Sequence, residues 1–242
     1  MKFILKVATG LAAILLAAAA QANLMVQSID LAMVNTDYNS RSLSASMSAE
    51  DAFMASLFDG FVSAYSNPGN IICDLSVEVF DQVSSHDTCD GSKRDIGTLF
   101  AISGSAEVDT QLQLGLDWGR GGFIALSTGG LAPEITRYNS DIWWSNNWNN
   151  GDVLDFIIPK SEQFLLIGLG FEGCCDGSNS ARWRSLAEPV APAAPAAFAV
   201  GMEAPEEWTL LQVNAPAAVP VPGGAYLLGI GLLGLVVTRK QR

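Results

Sequence analysis

Hydrophobic and polar residues alternate along several stretches of the chain, which is the pattern of β-strands with one buried face. The longest such stretch runs from Glu107 to Trp118, where every second residue from Leu112 onward is apolar. Further strands are predicted at 75–79, 123–128, 153–158, 164–171 and 208–213. Because turns rich in glycine and asparagine separate these short strands, the pattern predicts a mainly β fold, an antiparallel β-sandwich of jelly-roll-like type.

Before these strands, the spacing of apolar residues changes to that of a helix. Phe53, Leu57 and Phe61 recur at intervals of four, and Ser48 just before them suits a helix N-cap. The spacing predicts one N-terminal helix over 49–65, which the Asn-Pro-Gly-Asn turn after it ends.

The first 22 residues have the three parts of a secretory signal peptide. Lys2 and Lys6 precede an apolar run from Leu11 to Ala19, and an Ala-Gln-Ala sequence ending at residue 22 supplies the small residues that signal peptidase requires. We therefore expect cleavage before Asn23 and export of the remaining chain.

A second hydrophobic segment ends the chain, over 223–242. The run from Gly223 to Val237 carries no charge, and Arg239 and Lys240 follow it. As a helix, this run would be about 23 Å long, so it needs flanking residues to span a hydrocarbon core of about 30 Å. Since basic residues stay on the cytoplasmic side of a membrane helix, a plain C-terminal anchor is one interpretation.

A proline box precedes this segment and consists of Val219, Pro220, Val221 and Pro222. The order of proline box, apolar helix and basic end resembles the PEP-CTERM family of bacterial sorting signals, in the variant with V-P-x-P instead of Pro-Glu-Pro. The resemblance implies recognition by an exosortase, a membrane-embedded, transpeptidase-like enzyme that cleaves near the box and removes the helix. It also implies an inner-membrane intermediate that moves to the cell surface or extracellular matrix of a Gram-negative bacterium.

These patterns divide the chain into five parts. The predicted parts are a signal peptide at 1–22, an N-terminal segment with a helix at 23–70, a β-sandwich domain at 71–213 with a Pro/Ala-rich loop at 187–207, a Pro/Ala spacer with the proline box at 214–222, and the hydrophobic sorting or anchor segment at 223–242.

Acidic residues dominate the exported body. All 25 acidic residues, but only eight of the 13 basic residues, lie between Asn23 and Thr238, which gives this stretch a formal net charge of −17. A field of that sign repels nucleic acid and anionic lipid. We therefore expect no nucleic-acid partner.

Four cysteines predict disulfide bonds in an exported chain. They are Cys73, Cys89, Cys174 and Cys175. Two arrangements are open: a bond within the adjacent pair together with a local Cys73–Cys89 bond, or two long-range bonds. Because neighbouring Cα atoms are only about 3.8 Å apart, a bond within the adjacent pair is strained and easily reduced. Zinc is not expected, since the adjacent pair lacks C-x-x-C spacing.

Cys174, Cys175 and Gly177 also match the Cys-Cys-x-Gly motif of a group of PEP-CTERM proteins, which the stretch 141–183 resembles. That group has no assigned activity. The resemblance therefore implies an exported β protein and leaves its function open.

The same stretch carries a candidate sugar-binding site. Trp143, Trp144 and Trp148 lie close to Asn146 and Asn147, and flat rings beside amide groups suit stacking on sugars and hydrogen bonding to hydroxyls. Alternatively, the tryptophans fill the core and the asparagines form turns. Weak candidates for Ca²⁺ ligands are Asp141, Asp152 and Asp176; no other cofactor or metal is predicted.

No catalytic motif is recognisable. His86 is the single histidine, and G-x-S-x-G, P-loop and dinucleotide motifs are absent. We therefore expect a non-enzymatic protein of the cell surface or extracellular matrix, with a structural or adhesive role in a polysaccharide-rich layer. Its expected partners are signal peptidase, an exosortase and exopolysaccharide. The alternatives are a carbohydrate-binding module and a secreted hydrolase with paired carboxylates.

Overall fold

A computed structural model describes residues 24–39, 50–129, 133–138, 141–175, 177–186 and 207–214. The predicted signal peptide, Asp176, nearly all of the Pro/Ala-rich loop and the whole sorting motif lie outside these residues. That motif comprises Val219, Pro220, Val221, Pro222, Arg239 and Lys240. Within the described ranges, no helix is both long and apolar enough to cross a membrane.

The described residues form twelve strands, two α-helices and one short 3-10 helix. The strands are β1 (Leu24–Asn35), β2 (Ile71–Ser76), β3 (Ile96–Ala106), β4 (Thr110–Gly115), β5 (Asp117–Trp118), β6 (Gly122–Thr128), β7 (Glu134–Tyr138), β8 (Ile142–Trp143), β9 (Leu154–Ile158), β10 (Ser161–Glu172), β11 (Ser180–Ser185) and β12 (Thr209–Leu210). The helices are α1 (Glu50–Tyr65), α2 (Ser85–Cys89) and the 3-10 helix (Pro68–Asn70).

Ten of these strands form two antiparallel sheets. The larger sheet has the order β2-β1-β3-β10-β6-β7, and the smaller has the order β12-β11-β4-β9. The short strands β5 and β8 pair with each other. This arrangement confirms the predicted mainly β, antiparallel sandwich.

Apolar side chains from both sheets form the main core. Leu31 and Phe100 of the six-stranded sheet belong to the same buried cluster as Leu112 and Leu114 of the four-stranded sheet. Burial along β4 alternates between buried and partly exposed residues, as the sequence pattern predicts. The partly exposed Gln111 and Gln113 of β4 therefore lie on the outer face of the four-stranded sheet.

Helix α1 covers the other face of the six-stranded sheet. Its buried residues Phe53, Leu57 and Phe61 form a second cluster with Leu169 and Phe171 of β10. The predicted N-terminal helix is confirmed, and its bounds agree to within one residue. The six-stranded sheet is thus the middle layer of three.

Strand β1 corrects the predicted domain boundary. It pairs with β2 and β3, so Leu24–Asn35 belongs to the sandwich that the prediction begins at residue 71. The sequence pattern fails here because the four residues from Leu31 to Val34 are all buried, as expected for a strand covered on both faces. The alternating pattern does not predict strand β3 for the same reason, since its first five residues are buried in succession.

Candidate functional site

The tryptophans at 143, 144 and 148 occupy three different environments. Trp143 is 58% exposed, whereas Trp144 is 2% exposed, and the Trp144 Nε1 donates to the Ser178 carbonyl at 2.7 Å. Trp148 is half-buried and contacts the Trp144 ring with a centre-to-centre distance of 4.6 Å. The structure therefore places Trp144 in the core and does not present the three rings as one exposed platform.

The neighbouring asparagines stabilise the loop. The Asn147 Oδ1 accepts a hydrogen bond from the Asn149 N–H at 3.0 Å, and the Asn146 Oδ1 accepts one from the Ser178 hydroxyl at 3.0 Å. Asn146 has a φ of 53°, a left-handed conformation in which asparagine is enriched. These contacts fit the alternative interpretation, in which the asparagines form turns.

Two of the three candidate calcium ligands lie within the described residues. The Asp152 Oδ2 accepts from the Trp143 N–H at 3.2 Å, Asp141 is exposed on the surface, and Asp176 lies outside the described residues. Within the part of the chain that the structure describes, no group of three or more His, Cys, Asp or Glu side chains is placed to hold a metal ion.

A row of tryptophan and arginine side chains lies on the outer face of the four-stranded sheet. The Arg182 Cζ is 4.4 Å from the centre of the Trp148 ring and 4.3 Å from that of the Trp208 ring. The Arg184 Cζ is 4.6 Å from the centre of the Trp208 ring. Rings and guanidinium groups thus alternate at cation–π distances, and we call Trp148, Arg182, Trp208 and Arg184 the outer-face ladder.

Two glutamines and one aspartate fix the arginines of the ladder. The Arg182 Nε donates to Gln113 at 2.8 Å, and the Arg184 Nε donates to Gln111 at 2.7 Å. These contacts follow the strand register, in which each arginine of β11 lies opposite its glutamine of β4. The Gln111 amide in turn donates to Asp155 of β9 at 2.8 Å. The ladder therefore rests on a polar network across three strands.

The ladder places positive charge in a strongly acidic chain. Burial lowers the pKa of Arg182, Asp155 opposes that shift, and Arg184 adds to it. A guanidinium group nevertheless stays protonated at physiological pH. Arg182, Arg184 and Asp155 thus give this network a formal net charge of +1, in a body with a formal net charge of −17.

The four cysteines are arranged as one disulfide and one pair of thiols. Cys73 of β2 is bonded to Cys89 of α2, which confirms the predicted local bond and excludes the two long-range bonds. Cys174 and Cys175 are free and exposed. Their sulfur atoms lie 2.6 Å apart, so the bond within the adjacent pair stays a prediction.

A polar depression of about 510 Å³ opens beside the end of β1 and helix α1. Two carboxylates, Asp37 and Asp95, are among its lining residues, but Asp95 forms an ion pair with Arg120 at 2.6 Å. His86 lies elsewhere, exposed in α2. The depression therefore provides one carboxylate that is not engaged by this ion pair.

Sequence reasoning missed the outer-face ladder, although part of its signal is visible. Arg182 and Arg184 are two residues apart, as are Gln111 and Gln113, so each pair falls on one face of its strand. The sequence does not show that β11 pairs with β4, nor that Trp148 and Trp208 reach this face from distant segments.

Comparisons with known proteins provide little further information. No protein-family model matches the chain, and no curated protein matches it. Among solved structures, a PA14 sugar-binding domain from an RTX adhesin is similar over 66% of this chain and 90% of its own, with 11% identity and a TM-score of 0.34. A similarity at that score carries no argument about fold or ligand.

Proposed function

We propose that this protein is an exported, non-enzymatic protein of the cell surface or extracellular matrix, which adheres to acidic polysaccharide through the outer-face ladder. The observation that carries the proposal is the ladder's composition. Half-buried indole rings alternate with guanidinium groups on the outer face of a sheet, in a chain that is otherwise acidic.

The ladder combines the two contacts that an acidic sugar requires. An indole ring offers a flat apolar face for the C–H side of a sugar ring, and its stiffness keeps the entropy cost of binding low. A guanidinium group matches the two oxygens of a carboxylate, and this bonding is stronger than that between neutral groups. The adjacent Gln111 and Gln113 add amide groups suited to hydroxyls.

The polar network prepares the ladder for binding. Since Gln113 and Gln111 already hold Arg182 and Arg184 in place, less side-chain entropy is lost when a ligand binds. The local positive charge also attracts a polyanion that the rest of the body repels. We therefore expect binding to weaken as the salt concentration rises.

The proposal places the protein outside the inner membrane through its two targeting ends. The signal-peptide pattern and the resemblance of the tail to PEP-CTERM signals support export followed by removal of the tail by an exosortase. The Cys73–Cys89 disulfide is consistent with an oxidising compartment. Intact mass and C-terminal sequencing of the protein from the cell surface test this part: loss of the segment after the proline box supports sorting, and a retained Arg242 overturns it.

Affinity electrophoresis tests adhesion. Gels containing a polyuronate should retard the protein, and gels containing an uncharged glucan should retard it much less. The Trp208→Ala and Arg182→Gln variants should lose about tenfold or more in apparent affinity, as expected when about 1.4 kcal/mol of contact is removed. Trp143→Ala is the matched control, because Trp143 is exposed but outside the ladder.

Two outcomes would overturn adhesion through the ladder. One is equal retardation of the wild type and both ladder variants in the polyuronate gel. The other is loss of retardation in Trp143→Ala alone, which would assign binding to the 143–148 loop. Circular dichroism of each variant shows whether the fold is retained.

A further inference from the structure

The loop that carries Cys174 and Cys175 is held by a buried carboxylate. Glu172, at the end of β10, is only 7% exposed. Its Oε2 accepts from the Gly119 N–H at 2.7 Å, and its Oε1 accepts from the N–H groups of Gly173 at 2.6 Å and Cys174 at 2.7 Å. The backbone of the first cysteine is therefore fixed to the end of a buried strand.

Glycines on either side let this loop pack closely against its neighbours. A Cβ at Gly173 would lie 2.7 Å from the Arg120 Nε, and a Cβ at Gly177 would collide with the Asp117 carboxylate. Arg120 is itself anchored by its ion pair with Asp95. The glycines in the sequence Gly-Cys-Cys-Asp-Gly thus have a steric cause, but the two cysteines do not, because both are exposed.

The two thiols are arranged to react with each other. Their sulfur atoms are 2.6 Å apart, only about half an ångström beyond the length of a disulfide bond. Cys175 has a φ of 77°, a left-handed conformation that costs a residue other than glycine roughly 1–2 kcal/mol. In this conformation both sulfur atoms lie together at the surface.

We propose that Cys174 and Cys175 form a reversible dithiol–disulfide site, which closes to a bond between adjacent cysteines when the exported protein meets a disulfide oxidant. The site is independent of the outer-face ladder. The oxidant belongs to the class of disulfides, either a small molecule or the active-site disulfide of an oxidoreductase. Thiols of the same class reopen the bond.

Ring closure takes two thiol–disulfide exchanges. The thiolate of one cysteine attacks a sulfur of the oxidant R–S–S–R, releases one R–S⁻ and forms a mixed disulfide. The thiolate of the second cysteine then attacks the cysteine sulfur of that mixed disulfide, which forms the new S–S bond and releases the second R–S⁻. Two electrons pass to the oxidant, and the two thiol protons end on two molecules of R–SH.

Geometry favours the second exchange over competing reactions. The second thiol is on the neighbouring residue, so closure loses almost no chain entropy. The sulfur atoms are exposed, so an oxidant can reach them. The carboxylates of Glu172 and Asp117 lie near enough to influence the Cys174 thiol. Their negative charge repels an anionic thiol and so disfavours a lasting adduct of Cys174 with it.

Peptide mapping tests the proposal on the full exported chain. Trypsin cleaves after Lys160 and Arg182, so the 161–182 peptide contains Cys174 and Cys175 and no other cysteine, while the bonded Cys73 and Cys89 fall together on the 42–93 peptide. After incubation with oxidised glutathione and alkylation at low pH, we expect the 161–182 peptide to be about 2 Da lighter than the dithiol and to carry no alkyl group. Two alkyl groups, a stable glutathione adduct or a disulfide-linked dimer would overturn the proposal.

Graded reduction provides the second readout. Because adjacent cysteines are closer than the usual disulfide span, the Cys174–Cys175 bond should open at a dithiothreitol concentration about tenfold lower than Cys73–Cys89, which serves as the internal control. Cys175→Ser should never lose the 2 Da; it should accept one alkyl group before oxidation and retain a glutathione adduct on Cys174 after it, because no second thiol displaces the adduct. A Cys174–Cys175 bond that stays closed at the concentration that opens Cys73–Cys89 would contradict reversibility at this site.

Discussion

Asn214 pairs with Val26 through both its side chain and its backbone. The Asn214 Oδ1 accepts from the Val26 N–H at 2.7 Å, and the Asn214 N–H donates to the Val26 carbonyl at 3.1 Å. The Asn214 Nδ2 also donates to the Leu24 carbonyl at 2.9 Å. Asn214, the first residue of the predicted spacer, is therefore bound to β1 of the sandwich, and the two ends of the described sandwich lie side by side.

We predict that Asn214→Ala lowers the free energy of unfolding by about 1–2 kcal/mol, because it removes two side-chain hydrogen bonds to part-buried backbone groups. Urea denaturation followed by tryptophan fluorescence measures the change. Gln212→Ala is the matched control, since Gln212 is exposed and pairs through its backbone with Val79. Equal stability of the two variants would show that the pairing with Val26 does not hold the ends of the domain together.

Replacing Trp208 tests whether the ladder also stabilises the sheet. Trp208→Ala removes two cation–π contacts at once, so we expect it to lower the free energy of unfolding by about 1–2 kcal/mol. Trp143→Ala should change it by no more than about 0.5 kcal/mol, as is usual for an exposed side chain. Chemical denaturation of both variants measures the difference. A Trp208→Ala variant as stable as Trp143→Ala would show that the ladder does not stabilise the sheet.

Glu172→Gln tests the support of the cysteine loop. An amide keeps the size of the carboxylate but turns one acceptor into a donor facing backbone N–H groups, so we predict a loss of about 1–3 kcal/mol in stability. The alkylation rate of reduced Cys174 should also rise, since the substitution removes a negative charge that raises the pKa of its thiol. Glu134→Gln, at an exposed position of β7, is the control and should change neither quantity. An unchanged alkylation rate would show that Glu172 does not affect the reactivity of Cys174.

The reduced cysteine pair should show a characteristic pH dependence. The hydrogen bond with Cys175 raises the pKa of Cys174 to about 11, and partial desolvation and the nearby negative groups act in the same direction. Only about one Cys174 in ten thousand is then a thiolate at pH 7, and the fraction increases tenfold with each pH unit up to the pKa. Alkylation with iodoacetamide, read by mass spectrometry, should therefore be much faster at Cys174 in Cys175→Ala than in the wild type at pH 8. Equal alkylation rates in the two proteins would show that Cys175 does not raise the pKa of Cys174.

The sequence pattern predicts those parts of the fold that have one buried face. Leu112 and Leu114 alternate with polar residues, and Phe53 and Leu57 have helical spacing, so β4 and α1 are recognisable. Strands β1 and β3 are not recognisable, because each contains four apolar residues in a row, at 31–34 and 99–102, and periodicity cannot distinguish such a short run from a buried helix segment. The order of strands in the sheets depends on pairings between distant residues that no local pattern encodes.

Among the candidate sites, too, local features can be predicted from the sequence, and features that depend on tertiary packing cannot. Cys73 and Cys89 are 16 residues apart, and their bond follows from local chain reversal. Trp143 and Trp144 are adjacent in sequence, yet Trp144 is buried and Trp143 exposed, because Gly115 leaves space for the Trp144 ring. The ladder joins residues 148, 182 and 208 through tertiary packing, so its existence could not be predicted from spacing.

NMR of the indole N–H groups shows whether the outer-face ladder binds acidic polysaccharide. The chain has six tryptophans, and each gives one indole signal. On titration with an oligouronate, we predict that the signals of Trp148 and Trp208 shift in a saturable manner, while those of the buried Trp118 and Trp144 move little. No shift at Trp208, or a shift confined to Trp143, would contradict it.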